Sequence, residues 1–399
     1  MPSSDPNGLT IAVVTETYPP EINGVANTMR QLVEGLTRLG HQVTVIRPRQ
    51  GTDHGLGRAP LGQVLVPGLP IPGYRGLRFG LPVFWRLRHL WRRRRPDVVY
   101  VATQGPLGHA ALNAARASDI AVLTGFHTQF HQYSRHYGYG LLMRPIMNSL
   151  RKFHNRSDGT LVPTSALGHE LDEDGFRNVH VFGRGVDTRL FSPARRSDAL
   201  RRQWGCDDAS VVALYVGRIA PEKNIDLALD AFDGVAAAHR HARCVVVGDG
   251  PELHRLRRRH PNYVFTGVRV GEDLARHCAS ADCFVFPSLT ETFGNVVPEA
   301  MASGLPVVAF DYAAAHEHID SWLNGVLVPM ADREAFIDAT VAATSDCDRL
   351  RCMGARARKT AETLSWDRVI GGVEQRLREV IRHHADARGR HETMAATTE

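Results

Sequence analysis

Two glutamates, whose carboxylates could accept hydrogen bonds from ligand hydroxyls, lie eight residues apart in the segment TETFGNVVPEAMASGLPVV. Glu291 is expected in a loop and Glu299 about one turn into a helix, near whose start lie Gly294 and Asn295. Free N–H groups and the dipole at a helix start attract anions. The two carboxylates could therefore hold two parts of one ligand whose negative part lies at the helix end. Alternatively, Glu299 does no more than favour the helix dipole.

A buried strand and a helix must position this pair. The preceding residues, DCFVFPS, contain an apolar and β-favouring run that ends at proline and serine. Such a run is typical of a short buried strand. The following residues PEAMASG favour a helix that ends at Gly304. Pro298 fits the first turn of that helix, where a residue needs no intrahelical partner for its backbone amide.

A second loop carries two cations in the segment YVGRIAPEKN, directly after a predicted strand. Arg218 and Lys223 could neutralise a pyrophosphate, and Gly217 would allow its close approach to the backbone. A solvated basic turn is the alternative. The segment VVVGDGPEL is interpreted as a tight turn between a strand and a helix, because Leu253 replaces the third glycine of the dinucleotide-binding pattern. A dehydrogenase is therefore disfavoured, and no P-loop pattern occurs.

No metal site is predicted. His127 and His131 lie four residues apart in GFHTQFHQY, but the H-E-x-x-H pattern is missing and no acidic residue is close in sequence. His127 alone, at the carboxyl end of a strand, is expected to touch a ligand. Two D-x-D matches lie in polar surroundings away from strand ends and are interpreted as surface acids. They are Asp172 with Asp174 and Asp346 with Asp348.

Strands and helices alternate along the chain in two series, which predicts two doubly wound α/β domains with mostly parallel sheets. The expected division is at residues 1–190 and 191–365, close to the irregular stretch RGVDTRLFSPARR. A helix over about residues 366–386 could pack back on the first domain, and residues 388–399 are predicted to be disordered. Ligands of parallel sheets bind beyond the carboxyl ends of the strands, so a cleft between the two domains is the expected binding place.

Composition is that of a soluble globular protein, and the length of 399 residues fits two domains. Neither an apolar run that could span a membrane nor a signal peptide is apparent, and a cytoplasmic location is expected. The six cysteines form no C-x-x-C pair and are interpreted as reduced thiols. The net charge of +6 favours an anionic partner.

A basic and aromatic segment extends from Leu81 to Arg95. On a helical wheel Trp85 lies near Arg88 and Arg92, opposite an apolar stripe that is expected to be buried. The stripe comprises Val83, Phe84, Leu87, Leu90 and Trp91. An exposed tryptophan among arginines indicates peripheral contact with an acidic membrane, here the inner face of the cytoplasmic membrane. The alternative is a solvated face of a packed helix, and no nucleic-acid partner is predicted because no recognition motif accompanies the charge.

Together these segments resemble the retaining glycosyltransferases of family 4, which have the two-domain GT-B fold. PSLTETFGNVVPEAMASGLPVVA is similar to the family's motif of two glutamates with seven residues between them. YVGRIAPEKN, VVGDGPE, VFTGV and GRGVDTRLFSP also match. TETYPPEINGVA and FHTQFHQYSRHYG are similar to the branch of bacterial GDP-mannose-dependent α-mannosyltransferases and of sulfoquinovosyl and glucosyl diacylglycerol synthases. Many relatives have two glycines in the first loop, whereas Asn23 precedes Gly24 here, so only Gly24 is carried over.

The resemblance implies roles for particular residues of these motifs. It also implies that no divalent metal is required. Arg218 and Lys223 would hold the donor pyrophosphate as it leaves, Glu299 the ribose, and Glu291 the donor sugar. The implied catalytic residues are Glu291, His127, Arg218 and Lys223. The implied donor-binding residues are Gly24, Gly217, Arg218, Lys223, Thr266, Gly267, Val268, Glu291, Phe293, Gly294, Asn295 and Glu299.

The first functional prediction is a hexosyltransferase that moves mannose from GDP-mannose to a lipid-linked or glycan acceptor, with retention of anomeric configuration. One alternative is a diacylglycerol glycosyltransferase that uses a UDP-sugar of glucose or sulfoquinovose. An alternative of another class is a non-catalytic protein that binds glycans or nucleotides on the same fold. The intact set of Glu291, Glu299, Arg218 and Lys223 argues against that last alternative.

Overall fold

The computed structural model describes residues 8–21, 24–53, 62–70, 78–127, 140–207 and 209–396, with the backbone alone at 52, 140–143 and 390–396. The chain folds into two units. The first unit comprises Met1–Gly183 and Asp367–Glu399, and the second unit comprises Arg184–Trp366. The division thus falls after Gly183 and not after residue 190. Residues 184–190 pack with the second unit because the Val186 N–H donates to the Leu364 carbonyl at 2.8 Å and the Val186 side chain is buried in that unit's core.

The first unit is built on a seven-stranded parallel sheet. Its elements in chain order are β1 Thr10–Val14, α1 Gly24–Arg38, β2 Gln42–Pro48, β3 Gln63–Val66, β4 Gly68–Pro70, β5 Arg78–Gly80, α2 Phe84–Arg93, β6 Val98–Val101, α3 Pro106–Arg116, β7 Ala121–Gly125, α4 Gly140–His154, β8 Gly159–Val162, α5 Ser165–Glu173 and β9 Val179–Val181. The order in the sheet is β3-β2-β1-β6-β7-β8-β9, while β4 and β5 form a separate antiparallel pair. A short 3-10 helix, Gly51–Asp53, follows β2.

The inner strands are buried on both faces, as continuous apolar runs in parallel sheets require. Helix α1 buries Met29, Leu32 and Leu36, which recur at helical spacing along one face. Leu39, which follows these residues at helical spacing, is nevertheless 47% exposed. The reason is that α1 ends at Arg38 and Gly40 turns the chain with φ of 90°.

The second unit has a six-stranded parallel sheet. Its elements are α6 Asp198–Gln203, β10 Val212–Val216, α7 Ile225–Ala238, β11 Arg243–Val247, α8 Leu253–Arg259, β12 Val264–Gly267, α9 Gly271–Ala279, β13 Cys283–Phe286, α10 Val296–Ala302, β14 Val307–Phe310, α11 Ala313–His318, β15 Gly325–Val328, α12 Arg333–Thr344 and α13 Cys347–Glu362. Short 3-10 helices lie at Pro193–Arg195 and Pro221–Lys223. The sheet order is β12-β11-β10-β13-β14-β15. The prediction of two doubly wound α/β domains with parallel sheets is confirmed.

The strand order reverses once in each sheet, and this reversal determines where loops can bind a ligand. In the second unit β10 lies beside β13, and the strands that follow them in the chain lie on opposite sides of this pair. In the first unit the corresponding neighbours are β1 and β6. Loops at the carboxyl ends of such strand pairs line a crevice, which is where open α/β sheets bind ligands.

The last helix, α14 (Trp366–Ala396), packs on the first unit from Asp367 onward. It buries Ile370, Val373, Leu377 and Val380. The prediction of disorder from residue 388 is wrong as far as Ala396, and residues 397–399 lie outside the described residues. Near the end of the helix, Arg388 Nη1 lies 2.8 Å from Asp119 Oδ2 and His384 Nδ1 lies 3.1 Å from Asp158 Oδ1 in the first unit.

Candidate functional site

The loop between β13 and α10 presents the two glutamates. Gly294 has φ of 92°, in the left-handed region that favours glycine, and Asn295 directly precedes a helix whose third residue is Pro298. Glu299 lies in the first turn of α10, as the sequence predicted, and Glu291 lies in the loop. Phe293 is buried beneath the loop and anchors it to the core of the second unit.

Glu291 and Lys223 form an ion pair at the strand reversal. Lys223 Nζ lies 2.5 Å from Glu291 Oε1 and 3.0 Å from the carbonyl oxygen of Thr290. The two side chains are only 20% and 15% exposed. They come together because the loops that follow neighbouring strands β10 and β13 meet, although the residues are 68 positions apart in the chain. The cation and the carboxylate that the sequence assigned to different parts of a ligand are thus held side by side.

Arg218 occupies the same loop and is the more accessible cation, with 59% of its side chain exposed. Its Nη1 lies 3.1 Å from Glu222 Oε1, while its backbone carbonyl accepts a hydrogen bond from the buried Tyr215 hydroxyl at 3.0 Å. The Thr290 hydroxyl donates to the Glu222 carbonyl at 3.3 Å and so ties the two loops together. Two cations on a rigid loop can balance the charge of a diphosphate.

Glu299 differs from Glu291 in its surroundings. Its side chain is partly exposed, yet burial raises the pKa of its carboxyl group from 4.5 to about 8. No hydrogen bond joins this carboxyl group to another residue that the structure describes. The carboxyl group is therefore largely protonated at neutral pH and has its hydrogen-bonding capacity available for a ligand.

Two residues that sequence reasoning missed hold Glu291 in place. Ser288 Oγ lies 2.8 Å from Glu291 Oε1, and the Tyr312 hydroxyl donates to the Glu291 backbone carbonyl at 2.8 Å. The Ala314 N–H, at the start of α11, donates to the Phe293 carbonyl at 2.8 Å. Ser288 could have been found as a hydroxyl at a strand end. Tyr312 had no sequence signal, because it reaches the loop from the end of β14.

The glycines after β11 are structural, as the sequence interpretation held. A Cβ atom on Gly248 would lie 1.9 Å from the Gly217 carbonyl oxygen, so only glycine lets these two loops touch. The Gly248 N–H in turn donates to the Gly267 carbonyl at 3.0 Å, which brings the end of β12 to the same edge of the sheet. Thr266 is partly buried there and Val268 is 59% exposed. Their contact with the donor stays a prediction.

In the first unit His127 lies two residues beyond β7 and is only 2% exposed. Its Nε2 lies 2.7 Å from the Tyr100 hydroxyl, and the Phe182 ring packs beside it. Gly24 is exposed at the first position of α1. The neighbouring residues 22–23 and 128–139, with Asn23 and His131, lie outside the described residues, so the contact of His127 with a ligand stays a prediction.

A third acid at a strand reversal was not anticipated. Glu16 follows β1, and its Oε1 accepts a hydrogen bond from the Leu107 N–H at 3.2 Å. Its own N–H donates to the Thr103 hydroxyl at 3.0 Å. Burial raises the pKa of Glu16 to about 7. The sequence places Glu16 in the first loop but does not show its contact with Thr103. Thr103 lies almost ninety residues later and is brought to Glu16 by the pairing of β6 with β1.

The D-x-D acids are surface residues, as predicted. Asp346 caps α13 by accepting hydrogen bonds from the N–H groups of Asp348 and Arg349, both at 3.0 Å. Asp172 and Asp174 are exposed at the end of α5. Within the described ranges no group of three or more His, Cys, Asp or Glu side chains is arranged to hold a metal ion.

The basic segment forms helix α2, and the predicted buried stripe is confirmed in part, because Val83, Phe84 and Leu90 are only half-buried. Leu87 and Trp91 are buried, whereas Trp85 is 75% exposed. The Arg88 guanidinium carbon lies 5.9 Å from the Trp85 ring centroid. In the part of the chain that the structure describes, every helix is too short or too polar to cross a membrane.

Known proteins match this chain over most of its length. Residues 22–190 match the family described as Glycosyltransferase Family 4, and residues 210–346 match Glycosyl transferases group 1. A GDP-mannose-dependent alpha-mannosyltransferase of Mycobacterium tuberculosis (strain CDC 1551 / Oshkosh) is 36% identical, over 98% of this chain and 100% of that protein. An alpha-monoglucosyldiacylglycerol synthase of Streptococcus pneumoniae (strain ATCC BAA-255 / R6) is 29% identical, over 79% of this chain and 73% of that protein.

A solved structure shares the fold. The Anabaena protein Alr3699/HepE, in complex with UDP and glucose, matches with a TM-score of 0.72 and 19% identity, over 93% of this chain and 100% of that chain. At this identity the likeness concerns the fold alone. Two parallel sheets with flanking helices in one chain form the GT-B fold that the sequence predicted.

Proposed function

Because the chain belongs to glycosyltransferase family 4 and is a hexosyltransferase that binds a nucleotide-sugar donor, we propose that its donor is GDP-mannose. The acceptor is a lipid-linked or glycan hydroxyl, and the anomeric configuration is retained. The relative that is 36% identical over nearly the whole of both chains is named as GDP-mannose-dependent, which supports this donor. The relative named for diacylglycerol supports a lipid acceptor.

The observation that carries the proposal is the ion pair of Lys223 and Glu291 at the strand reversal. When the bond from the anomeric carbon to the diphosphate breaks, negative charge develops on the leaving nucleotide and positive charge on the sugar. Lys223 and Arg218 would stabilise the negative charge on the leaving nucleotide, and Glu291 would stabilise the positive charge on the sugar. This division of charge is what glycosyl transfer needs, and we propose that the two cations serve the leaving group without a divalent metal.

A thermal-shift panel tests the donor. The protein is heated with GDP, UDP or ADP, and with GDP-mannose, UDP-glucose or UDP-sulfoquinovose. A ligand at about 100 times its Kd stabilises the native state by about 2.7 kcal/mol. We expect GDP and GDP-mannose to raise the Tm most. A larger shift with UDP and a UDP-sugar would instead favour the diacylglycerol glycosyltransferase alternative, which the name of the pneumococcal relative supports.

The product tests the reaction. With GDP-mannose and a lipid extract as acceptor, transfer should yield an α-mannoside, which the anomeric signals of the product identify by NMR. A β-mannoside would contradict retention. Binding of the nucleotide without any transfer or donor hydrolysis would favour the non-catalytic alternative.

We also propose a cytoplasmic location at the inner face of the cytoplasmic membrane, which the exposed Trp85 and the charge of α2 support.

A further inference from the structure

The loops that follow β10 and β13 carry no net positive charge, although they form the candidate site of the second unit. Their charged side chains are two cations and two carboxylates, Arg218, Lys223, Glu222 and Glu291. The neighbouring loop between β11 and α8 adds further acids and no cation. Because a nucleoside diphosphate is an anion, these carboxylates must weaken its binding relative to what the two cations alone would give.

Each cation of these loops has a carboxylate of its own. Lys223 is paired with Glu291, which the proposed reaction uses at the sugar. Arg218 is paired with Glu222, to which the proposed reaction gives no role, and Glu222 Oε1 lies 3.1 Å from Arg218 Nη1. Ion pairs between nearby positions are common on exposed surfaces and contribute little there. Glu222 differs from such surface partners because only 18% of its side chain is exposed.

The carboxylate is the fixed member of this pair and the guanidinium is the accessible one. Glu222 lies within the 3-10 helix Pro221–Lys223, and its backbone carbonyl accepts a hydrogen bond from the Thr290 hydroxyl at 3.3 Å. Arg218, by contrast, is 59% exposed. A ligand that reaches the Arg218 guanidinium therefore also meets the Glu222 carboxylate at close range.

The guanidinium can bind a phosphate without leaving Glu222. An arginine side chain offers several N–H donors, and those on Nε and Nη2 of Arg218 make no hydrogen bond to a described residue. This edge has the fork geometry that binds phosphate oxygens in pairs. In a complex, Glu222 then orients the guanidinium through Nη1, while its negative charge acts on the bound phosphates.

The repulsion differs between the donor and the product. In a nucleotide-sugar donor the β-phosphate is esterified to the sugar, whereas in the released nucleoside diphosphate it is a terminal group whose second pKa is about 6. The product therefore carries about one negative charge more than the donor at neutral pH. This charge develops at the bond that breaks, where the proposed reaction requires Arg218. A fixed carboxylate beside Arg218 thus disfavours the product more than the donor.

We propose that Glu222 is a positioning residue that acts through Arg218 and speeds the release of the nucleoside diphosphate product. This inference rests on the proposed function, in which Arg218 holds the donor diphosphate. The hydrogen bond of Glu222 orients Arg218 for the donor, and its charge lowers the affinity for the product, which must leave before the next turnover. Removal of the charge alone should therefore strengthen product binding and slow turnover.

Two variants separate the charge of Glu222 from its hydrogen bond. Glu222→Gln keeps an oxygen that can accept from Arg218 and removes the charge, whereas Glu222→Ala removes both. Asp348→Asn is the matched control, because it removes a carboxylate that is paired with Arg351 at 3.0 Å on α13, outside the candidate site. Calorimetry gives the Kd of GDP and of UDP. Steady-state kinetics give kcat, the KM of the donor and the Ki of the product.

We expect Glu222→Gln to lower the Kd of GDP roughly three- to thirtyfold, because a like charge beside the β-phosphate is lost. The KM of GDP-mannose should fall less, so the ratio of product Ki to donor KM should drop, and kcat should drop with it. The tightening of GDP should shrink when sodium chloride is raised from about 0.05 M to about 0.5 M. Glu222→Ala should lower the same ratio but raise the donor KM, because Arg218 is no longer oriented. Asp348→Asn should leave the ratio unchanged.

An unchanged or weakened affinity for GDP in Glu222→Gln would overturn the proposal and leave Glu222 as a support for the loop alone. Equal tightening of GDP and GDP-mannose would also overturn it, because the selective effect on the product would be missing. A loss of structure cannot imitate the expected result, since it would weaken both ligands at every salt concentration. Binding of UDP in place of GDP would refute the proposed donor alone, because the ratio for Glu222 is then measured with UDP and UDP-glucose.

Discussion

The carboxyl group of Glu299, which has no hydrogen-bond partner among the described residues, predicts that nucleotide affinity depends on pH. Burial raises its pKa to about 8, so at pH 7 only about a tenth of the free protein carries the ionised form. Ribose hydroxyls donate hydrogen bonds best to an ionised carboxylate. The apparent association constant for GDP should therefore rise about tenfold between pH 7 and pH 9, and binding at pH 7 should release about 0.9 proton.

The same carboxyl group predicts how stability changes with pH. Its pKa is raised from 4.5 in the unfolded chain to about 8 in the folded protein. Between these values the folded protein retains a proton that the unfolded chain has lost, so stability falls as pH rises from about 4.5 to 8. Glu299→Gln should therefore have a higher Tm than the wild type at pH 8.5.

Calorimetry in two buffers of different ionisation enthalpy measures the affinity and the released proton together. Glu299→Gln should lose the pH dependence between pH 7 and 9, apart from the part that belongs to the diphosphate itself. Glu16, whose pKa burial raises to about 7, is the other acid to control for. Glu16→Gln should keep the rise in affinity above pH 8. An unchanged pH dependence in Glu299→Gln would refute the assignment of Glu299 to the ribose.

The remaining predictions concern the loops around Glu291. Glu299→Ala should weaken GDP binding roughly ten- to a hundredfold. Glu291→Ala should lower turnover and leave GDP affinity almost unchanged, because GDP lacks the sugar. Equal losses of GDP affinity in the two variants, measured by calorimetry, would contradict this division. Tyr312→Phe should lower kcat roughly two- to tenfold by releasing the Glu291 carbonyl, with GDP affinity within twofold, and a parallel loss of both would indicate general loosening. Lys223→Ala should cost about 2–4 kcal/mol in kcat/KM, and a cost below 1 kcal/mol in steady-state kinetics would argue against its role. Turnover should survive excess EDTA, and a loss that magnesium or manganese restores would show that a metal is needed.

Much of the fold could be predicted because parallel strands buried on both faces leave continuous apolar runs. Segments such as CFVFPS and YVGRI carry their own strand signal, and the loops after them are where ligands of α/β sheets bind. Gly40 and Gly304 end helices for a local reason, since each has positive φ. The position of Glu299 in the first turn of α10 also follows from nearby residues, chiefly Pro298.

What could not be predicted depends on pairing between distant segments. The contact of Lys223 with Glu291 requires that β10 and β13 be neighbours, and no local pattern encodes strand order. The Tyr312 contact has the same origin in the neighbouring strands β13 and β14. The polar composition after residue 388 favoured a prediction of disorder. No local pattern shows that Arg388 contacts Asp119, which lies some 270 positions earlier in the chain.

The return of α14 to the first unit has a consequence for how the protein is made. The whole second unit is inserted between residue 183 and the helix that completes the first unit. During synthesis, the apolar surface of the first unit that Ile370 and Leu377 will cover stays exposed until the whole second unit has been made. A fragment that stops at residue 183 would lack four buried apolar side chains, each contributing about 1.5–3 kcal/mol. A circular permutant that places α14 before β1 should let the first unit fold ahead of the second.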